Sequence, residues 1–149
     1  MSATLFDTNV WIAAVFPSHP FHRLAVTALQ QATAVEPAVF CRATEQSFLR
    51  LASTPVICKS YGADGFTNRD ALATLLALQA LPQVTTQSEP PGTVGLWHSF
   101  AGLATASPRV WMDAYLAAFA KAGSLAVTTL DSDFNNFVRH GLDLRLLAP

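Results

Sequence analysis

Four carboxylates in this chain are placed where they can do chemistry together: Asp7, Glu45, Asp113 and Asp131. Asp7 follows the apolar start Ala3-Thr4-Leu5-Phe6, and Asp131 follows Leu125-Ala126-Val127-Thr128-Thr129-Leu130. Glu45 and Asp113 stand near the starts of segments with helical patterning. Strand-end and helix-start positions can meet at one edge of a sheet. Carboxylates gathered there repel one another strongly unless cations lie between them, and that arrangement serves metal-assisted hydrolysis of phosphodiesters.

Each acid also has an ordinary reading. Asp7-Thr8-Asn9 after a strand is good helix-capping chemistry. Asp131 can cap a short helix over 134–138, although Asp133 is better placed to do so, which leaves Asp131 without a structural job. Glu45 shares a helical face with Phe48, Leu49 and Ala52, so it points inward. A buried carboxylate is costly unless paired, hydrogen-bonded or metal-bound, and Arg42, three residues earlier, is the candidate ion partner. Asp113 opens a helix that is apolar nearly all round from Ala114 to Ala120, and its charge suits the positive end of the helix dipole. The set carries more weight than any member, because all four can reach one edge of a chain that has few other acids.

The elements that must position them follow from patterning. Residues 3–6, 38–40, 84–86, 125–128 and 142–146 read as strands. Helices are expected over 10–14, 21–33, 43–53, 67–80 with Thr67 as N-cap and Asp70 in its first turn, 94–104, and 111–122 with Gly123 as C′ residue. Residues 54–66, with Pro55, Gly62 and Gly65, read as irregular. Strands separated by helices imply one α/β domain over residues 1–149 with a mainly parallel sheet. Ligands in such sheets bind outside the carboxyl ends of the strands, where Asp7 and Asp131 lie.

Composition narrows the alternatives. Of 149 residues, 51% are hydrophobic and only 13% charged, against roughly 25% charged in an ordinary soluble domain. Either the sheet is buried on both faces or apolar surface is covered by another chain. A net charge of −1 gives no global attraction to nucleic acid, but bound cations would invert the local charge of an acidic pocket. No apolar run is long enough to span a membrane, and the N-terminus lacks signal-peptide character, so a cytoplasmic protein is expected. Cys41 and Cys58 form no metal or disulfide pattern and read as reduced core thiols.

Four blocks of the chain resemble PIN-domain ribonucleases, and within them the VapC-type toxins of bacterial toxin–antitoxin pairs. They are Leu5-Phe6-Asp7-Thr8-Asn9-Val10-Trp11, Thr44-Glu45-Gln46-Ser47-Phe48-Leu49-Arg50-Leu51, Trp111-Met112-Asp113-Ala114-Tyr115-Leu116-Ala117 and Val127-Thr128-Thr129-Leu130-Asp131-Ser132-Asp133-Phe134. The resemblance implies a three-layer α/β/α fold and an endoribonuclease using one or two Mg²⁺ or Mn²⁺ ions. It makes Asp7, Glu45, Asp113 and Asp131 the acidic quartet, with Asp133 a further possible ligand. Thr8 and Thr129 would orient carboxylates or metal-bound water, and Asn9 lies beside the site. It also implies a small VapB-like antitoxin partner that covers an apolar groove and inserts a basic side chain near the acids, and a homodimer is expected.

Arg42, Arg50 and Arg109, with Lys59 and Arg69 behind them, are the candidates for holding RNA phosphates. Trp11 and Trp97 can stack bases, although core packing explains either one. Two other phosphoryl-transfer readings fit poorly. Haloacid-dehalogenase-like enzymes want Asp-x-Asp-x-Thr after the first strand, where this chain has Asp7-Thr8-Asn9. Receiver domains want adjacent early acids and a late strand-end lysine, and the only lysines are Lys59 and Lys121. An RNA-processing PIN nuclease outside a toxin–antitoxin pair, or a non-catalytic RNA- or protein-binding PIN module, completes the alternatives.

Overall fold

A computed structural model describes residues 3–147. The elements run β1 (Thr4–Phe6), α1 (Thr8–Val15), α2 (His22–Gln31), β2 (Ala38–Phe40), α3 (Arg42–Ala52), α4 (Pro55–Ser60), α5 (Asn68–Gln79) and β3 (Val84–Thr86). They continue with α6 (Thr93–Ala101), α7 (Val110–Ala122), β4 (Ala126–Thr129), a 3-10 helix (Ser132–His140) and β5 (Leu144–Leu146).

The strands form one sheet in the order β3-β2-β1-β4-β5, and every pairing is parallel. Alternation along the strands splits the core in two. Phe6 and Phe40 face one side, where α1, α2, α3 and α5 cover them. Leu5, Val39 and Val127 face the other, under α6, α7 and the 3-10 helix. This is the expected three-layer α/β/α sandwich. On the first side Trp11 is fully buried, stacked on Phe40 with ring centroids 3.8 Å apart and planes within 5°, and tilted against Phe6 at 4.8 Å. Trp11 is therefore a core residue and cannot meet a base.

Several boundaries differ from the sequence reading. The segment over 54–66 is not wholly irregular: Pro55 occupies the first position of α4, where its missing N–H costs nothing. The chain then turns through Gly62 and Gly65 at positive φ. Helix α6 stops at Ala101 rather than 104, its cap being Gly102. Gly123 caps α7 at φ −91, and the left-handed residue is Ser124, at φ 55. What Gly123 provides is room, since a Cβ there would lie 3.1 Å from Pro90 Cγ and 3.2 Å from the Phe119 carbonyl. The last helical segment starts at Ser132 instead of 134, which makes Asp131 its N-cap and puts Asp133 in its first turn. The Thr67–Asp70 capping box of α5 is present as the sequence reads. Both cysteines are free and buried.

Candidate active site

The strand order reverses direction between β1 and β4, because the chain builds β2 and β3 to one side of β1 and then returns for β4 and β5. In a parallel sheet the crevice at that switch, beyond the carboxyl ends, is the default ligand site. Asp7 follows β1 directly, and its N–H donates to the Thr128 carbonyl at 2.9 Å, locking it against β4. Asp131 lies two residues past β4. Helix α7 leads back to the start of β4, so Asp113, in its first turn, is carried to the same edge.

Asp7 is 9% exposed, and both its oxygens are held. The Thr8 N–H donates to Oδ1 at 2.7 Å, and the Thr129 hydroxyl donates to Oδ2 at 2.7 Å. Thr129 Oγ1 in turn accepts from the Asp131 N–H at 3.0 Å and from Asn9 Nδ2 at 3.4 Å. The Leu130 N–H donates to Asn9 Oδ1 at 3.2 Å. One buried hydroxyl thus couples the two strand-end acids, and Asn9 ties the first turn of α1 to the loop after β4. Asp131 also spends Oδ1 on the Asp133 N–H, at 2.9 Å.

The electrostatics record the crowding. Burial pushes the Asp7 carboxyl above its ordinary range; the Thr129 and Thr8 hydrogen bonds oppose this, and the Asp131 charge adds to it. Asp113 is pushed up to about 7, first by burial and then by the charges of Asp7, Asp131 and Asp133. Like charges close enough to raise one another's proton affinity are what a cation would relieve.

Glu45 is not among the charges that raise Asp7 or Asp113. It is buried on α3, as its helical face requires, but its carboxylate lines a neighbouring pocket with Arg42, Thr86 and Glu89. Gln79 Nε2 donates to its Oε2 at 3.1 Å and to Thr86 Oγ1 at 3.2 Å. The Arg42 guanidinium stands 3.5 Å from Oε1 without a hydrogen bond, so that buried oxygen has no hydrogen-bond partner. Arg42 is largely exposed, and such a pair stabilises little. Gln79 carried no signal in the sequence, because only the packing of α5 against α3 brings it to Glu45.

The donors on this edge suit a hard divalent cation: carboxylate oxygens with charge to neutralise, and in Glu45 an oxygen left unsatisfied. Among the described residues, no three His, Cys, Asp or Glu side chains are gathered closely enough to hold an ion by themselves. Mg²⁺ tolerates that, since it keeps several waters and is commonly held through one or two carboxylates plus substrate phosphate.

The basic candidates lie outside the crevice. Arg50 is exposed in a cleft between α3 and α5; Lys59 and Arg69 are exposed on α4 and α5, and Arg109 is exposed at the start of α7, one turn before Asp113. Thr129 is the supporting residue with the clearest consequence. Thr129→Val is expected to lower stability by about 1–3 kcal/mol, because a buried carboxylate oxygen loses its donor and the Asp131 N–H its acceptor. Urea unfolding measures this, and an unchanged midpoint would contradict the coupling role.

The PIN domain family model matches residues 4–139. Over 145 residues the chain is 41% identical to Ribonuclease VapC41 of Mycobacterium tuberculosis (strain H37Rv), covering 97% of this chain and 98% of that protein. FitAcB from Neisseria gonorrhoeae superposes with a TM-score of 0.65 at 20% identity, over 95% of this chain and 96% of that one. VapBC2 from Rickettsia felis, solved with a DNA fragment from its promoter, gives 0.61 at 13% identity, over 97% and 98%. Those two likenesses bear on the fold. The family match and the VapC41 identity bear on descent, and by them the chain belongs to the PIN-domain family, in its VapC group.

Proposed function

We propose that this chain is a divalent-metal-dependent endoribonuclease that hydrolyses RNA phosphodiester bonds at the β1–β4 edge, as the toxin of a toxin–antitoxin pair. The observation that carries the proposal is the gathering of three acids at the switch point, where Thr129 joins Asp7 to Asp131 and the charges of both act on Asp113, in a chain 41% identical to a VapC ribonuclease.

In this reading Asp7, Asp113 and Asp131 hold Mg²⁺ or Mn²⁺, with Glu45 completing the quartet and Asp133 in support. A cation held there would supply a more acidic water and neutralise charge building on the scissile phosphate. The residues do the positioning. Thr129 and the Thr8 N–H fix the plane of the Asp7 carboxylate, while the first turn of α7 holds Asp113 rigidly. Gln79 restrains Glu45 through one oxygen and leaves the other available. Arg42, beside Glu45, and Arg109, before Asp113, are the cations best placed to meet RNA phosphates on the way in.

The partner in this reading is a small VapB-like antitoxin, and apolar residues exposed near α6 and α7, among them Leu103 and Met112, offer it a surface. Val56, Leu72 and Leu76, exposed on α4 and α5, offer one for a second copy of the chain. Among the described residues, no helix is long and apolar enough to cross a membrane.

Metal removal tests the chemistry. The purified chain is expected to cleave single-stranded RNA in Mg²⁺ or Mn²⁺, to lose that activity in excess EDTA and to regain it when Mg²⁺ is restored. Cleavage that survives exhaustive chelation would sink the mechanism. In cells, expression is expected to arrest growth, and Asp7→Asn to relieve the arrest.

A further inference from the structure

Beside the carboxylates lies a cavity of ≈ 370 Å³, shared by α1, α3, α6 and α7. This is within the roughly 300–1,000 Å³ of small-molecule pockets. We propose that it receives one unstacked nucleobase of the RNA, next to the phosphate being cut; this rests on the ribonuclease reading above.

The walls are of two kinds. Asp7, Thr8 and Asp113 form the side shared with the acidic edge, and Trp97, Trp111 and Tyr115 form an aromatic side. The aromatic rings are fixed before any ligand arrives. Trp97 Nε1–H donates to the Trp111 carbonyl at 2.8 Å. The Trp97 ring meets Tyr115 edge-on at 5.5 Å and 88° and Trp111 at 6.1 Å and 80°. The Tyr115 hydroxyl donates to Glu89 Oε1 at 2.6 Å. The indole N–H of Trp97 and the Tyr115 hydroxyl are already engaged, and ring surface remains.

Trp111 is 46% exposed and Met112 64% exposed, a large apolar area to leave in water beside a site for a polyanion. Single-stranded RNA is recognised by splaying bases onto aromatic side chains and reading their edges with hydrogen bonds. Here Thr8 and Ser47 bring hydroxyls to the same cavity. An apolar side chain of a protein would use the rings but leave those hydroxyls without a partner. Because the cavity and the carboxylates share a wall, a nucleotide with its phosphate at Asp7 and Asp113 has this cavity as the nearest place for its base.

Nucleosides isolate base binding from metal and phosphate. Tryptophan emission of the full chain, in EDTA, is titrated with adenosine, guanosine, cytidine and uridine, with ribose as control. At least one nucleoside is expected to quench saturably while ribose does not, Trp11 being sealed in the opposite core. Trp111→Leu should raise the dissociation constant about tenfold or more, and Trp111→Phe should recover most of the loss. Ser47→Phe, which fills the cavity from α3 and keeps all tryptophans, should abolish the quenching, so the test survives a misfolded Trp111 variant. Equal responses to nucleosides and ribose, unchanged nucleoside affinity in both Trp111→Leu and Ser47→Phe, or quenching only by an apolar peptide would overturn the assignment. RNA cleavage without nucleoside binding removes the base site and leaves the nuclease reading standing. Nucleoside binding without cleavage in Mg²⁺ supports the pocket and removes the nuclease reading.

Discussion

Replacing Asp113 by Asn is expected to abolish RNA cleavage while making the metal-free protein more stable, not less. Losing even an outer-sphere partner of a metal ligand commonly costs 10–100-fold in activity or affinity, so losing a ligand should cost at least about 100-fold in cleavage rate. Stability moves the other way because the carboxylate is unfavourable where it sits: partly buried and facing Asp7, Asp131 and Asp133. Its folded-state pKa of about 7 lies above the ordinary 3.8, so between about pH 4 and pH 7 the folded chain keeps a proton that the unfolded chain has released. Stability of the metal-free protein therefore falls as pH rises through that window, and the raised pKa of Asp7 works in the same direction. The Asp113→Asn change removes the Asp113 contribution to that slope, and the gain is largest above pH 7. Thermal melting at pH 5 and pH 8 in EDTA reads this directly. Equal melting temperatures for the two proteins at pH 8 would mean that the acids do not crowd one another.

Trp11→Ala is expected to cost about 3–5 kcal/mol, a large share of the roughly 5–15 kcal/mol that a domain of this size has in total. The indole is fully buried between Phe6 and Phe40, and its removal opens a cavity where α1 meets β1 and β2. Since β1 delivers Asp7, loosening there disturbs the site as well as the core. Trp11→Phe should cost much less. It keeps a ring on Phe40 and removes an indole N–H that is buried with no hydrogen-bond partner. Urea unfolding distinguishes the two, and a loss under about 1 kcal/mol for Trp11→Ala would contradict the packing described.

The sandwich was legible in the sequence because its signals are local: three- and four-residue apolar strands, the Thr67–Asp70 box, and the all-round apolar α7. Asp7, Asp113 and Asp131 were legible for the same reason, each standing where a strand ends or a helix begins. What the sequence could not display depends on which elements touch. Glu45 was rightly read as inward-facing and beside Arg42, but the direction of its carboxylate is set by Gln79, on a helix that follows a long turn. Asp133 looked the better cap only because the 3-10 segment was read as starting two residues late. Trp97 resembled Trp11 as an isolated aromatic; one proved to be sealed under the sheet and the other to line a cavity beside the acids, a difference set by the layer each helix joins.

If carboxylates at the β1–β4 edge cut RNA, a side-by-side time course on single-stranded RNA in Mg²⁺, using the unmodified chain and folded Asp7→Asn, will show it. The amide introduced by Asp7→Asn can still accept from the Thr8 N–H through its oxygen, and its NH₂ can take the place of the long Asn9 Nδ2 contact on the Thr129 hydroxyl oxygen. The fold should therefore persist while the charge is lost. The expected result is cleavage by the first protein and none by the second. Cleavage by folded Asp7→Asn at the unmodified rate would show that the chemistry lies elsewhere.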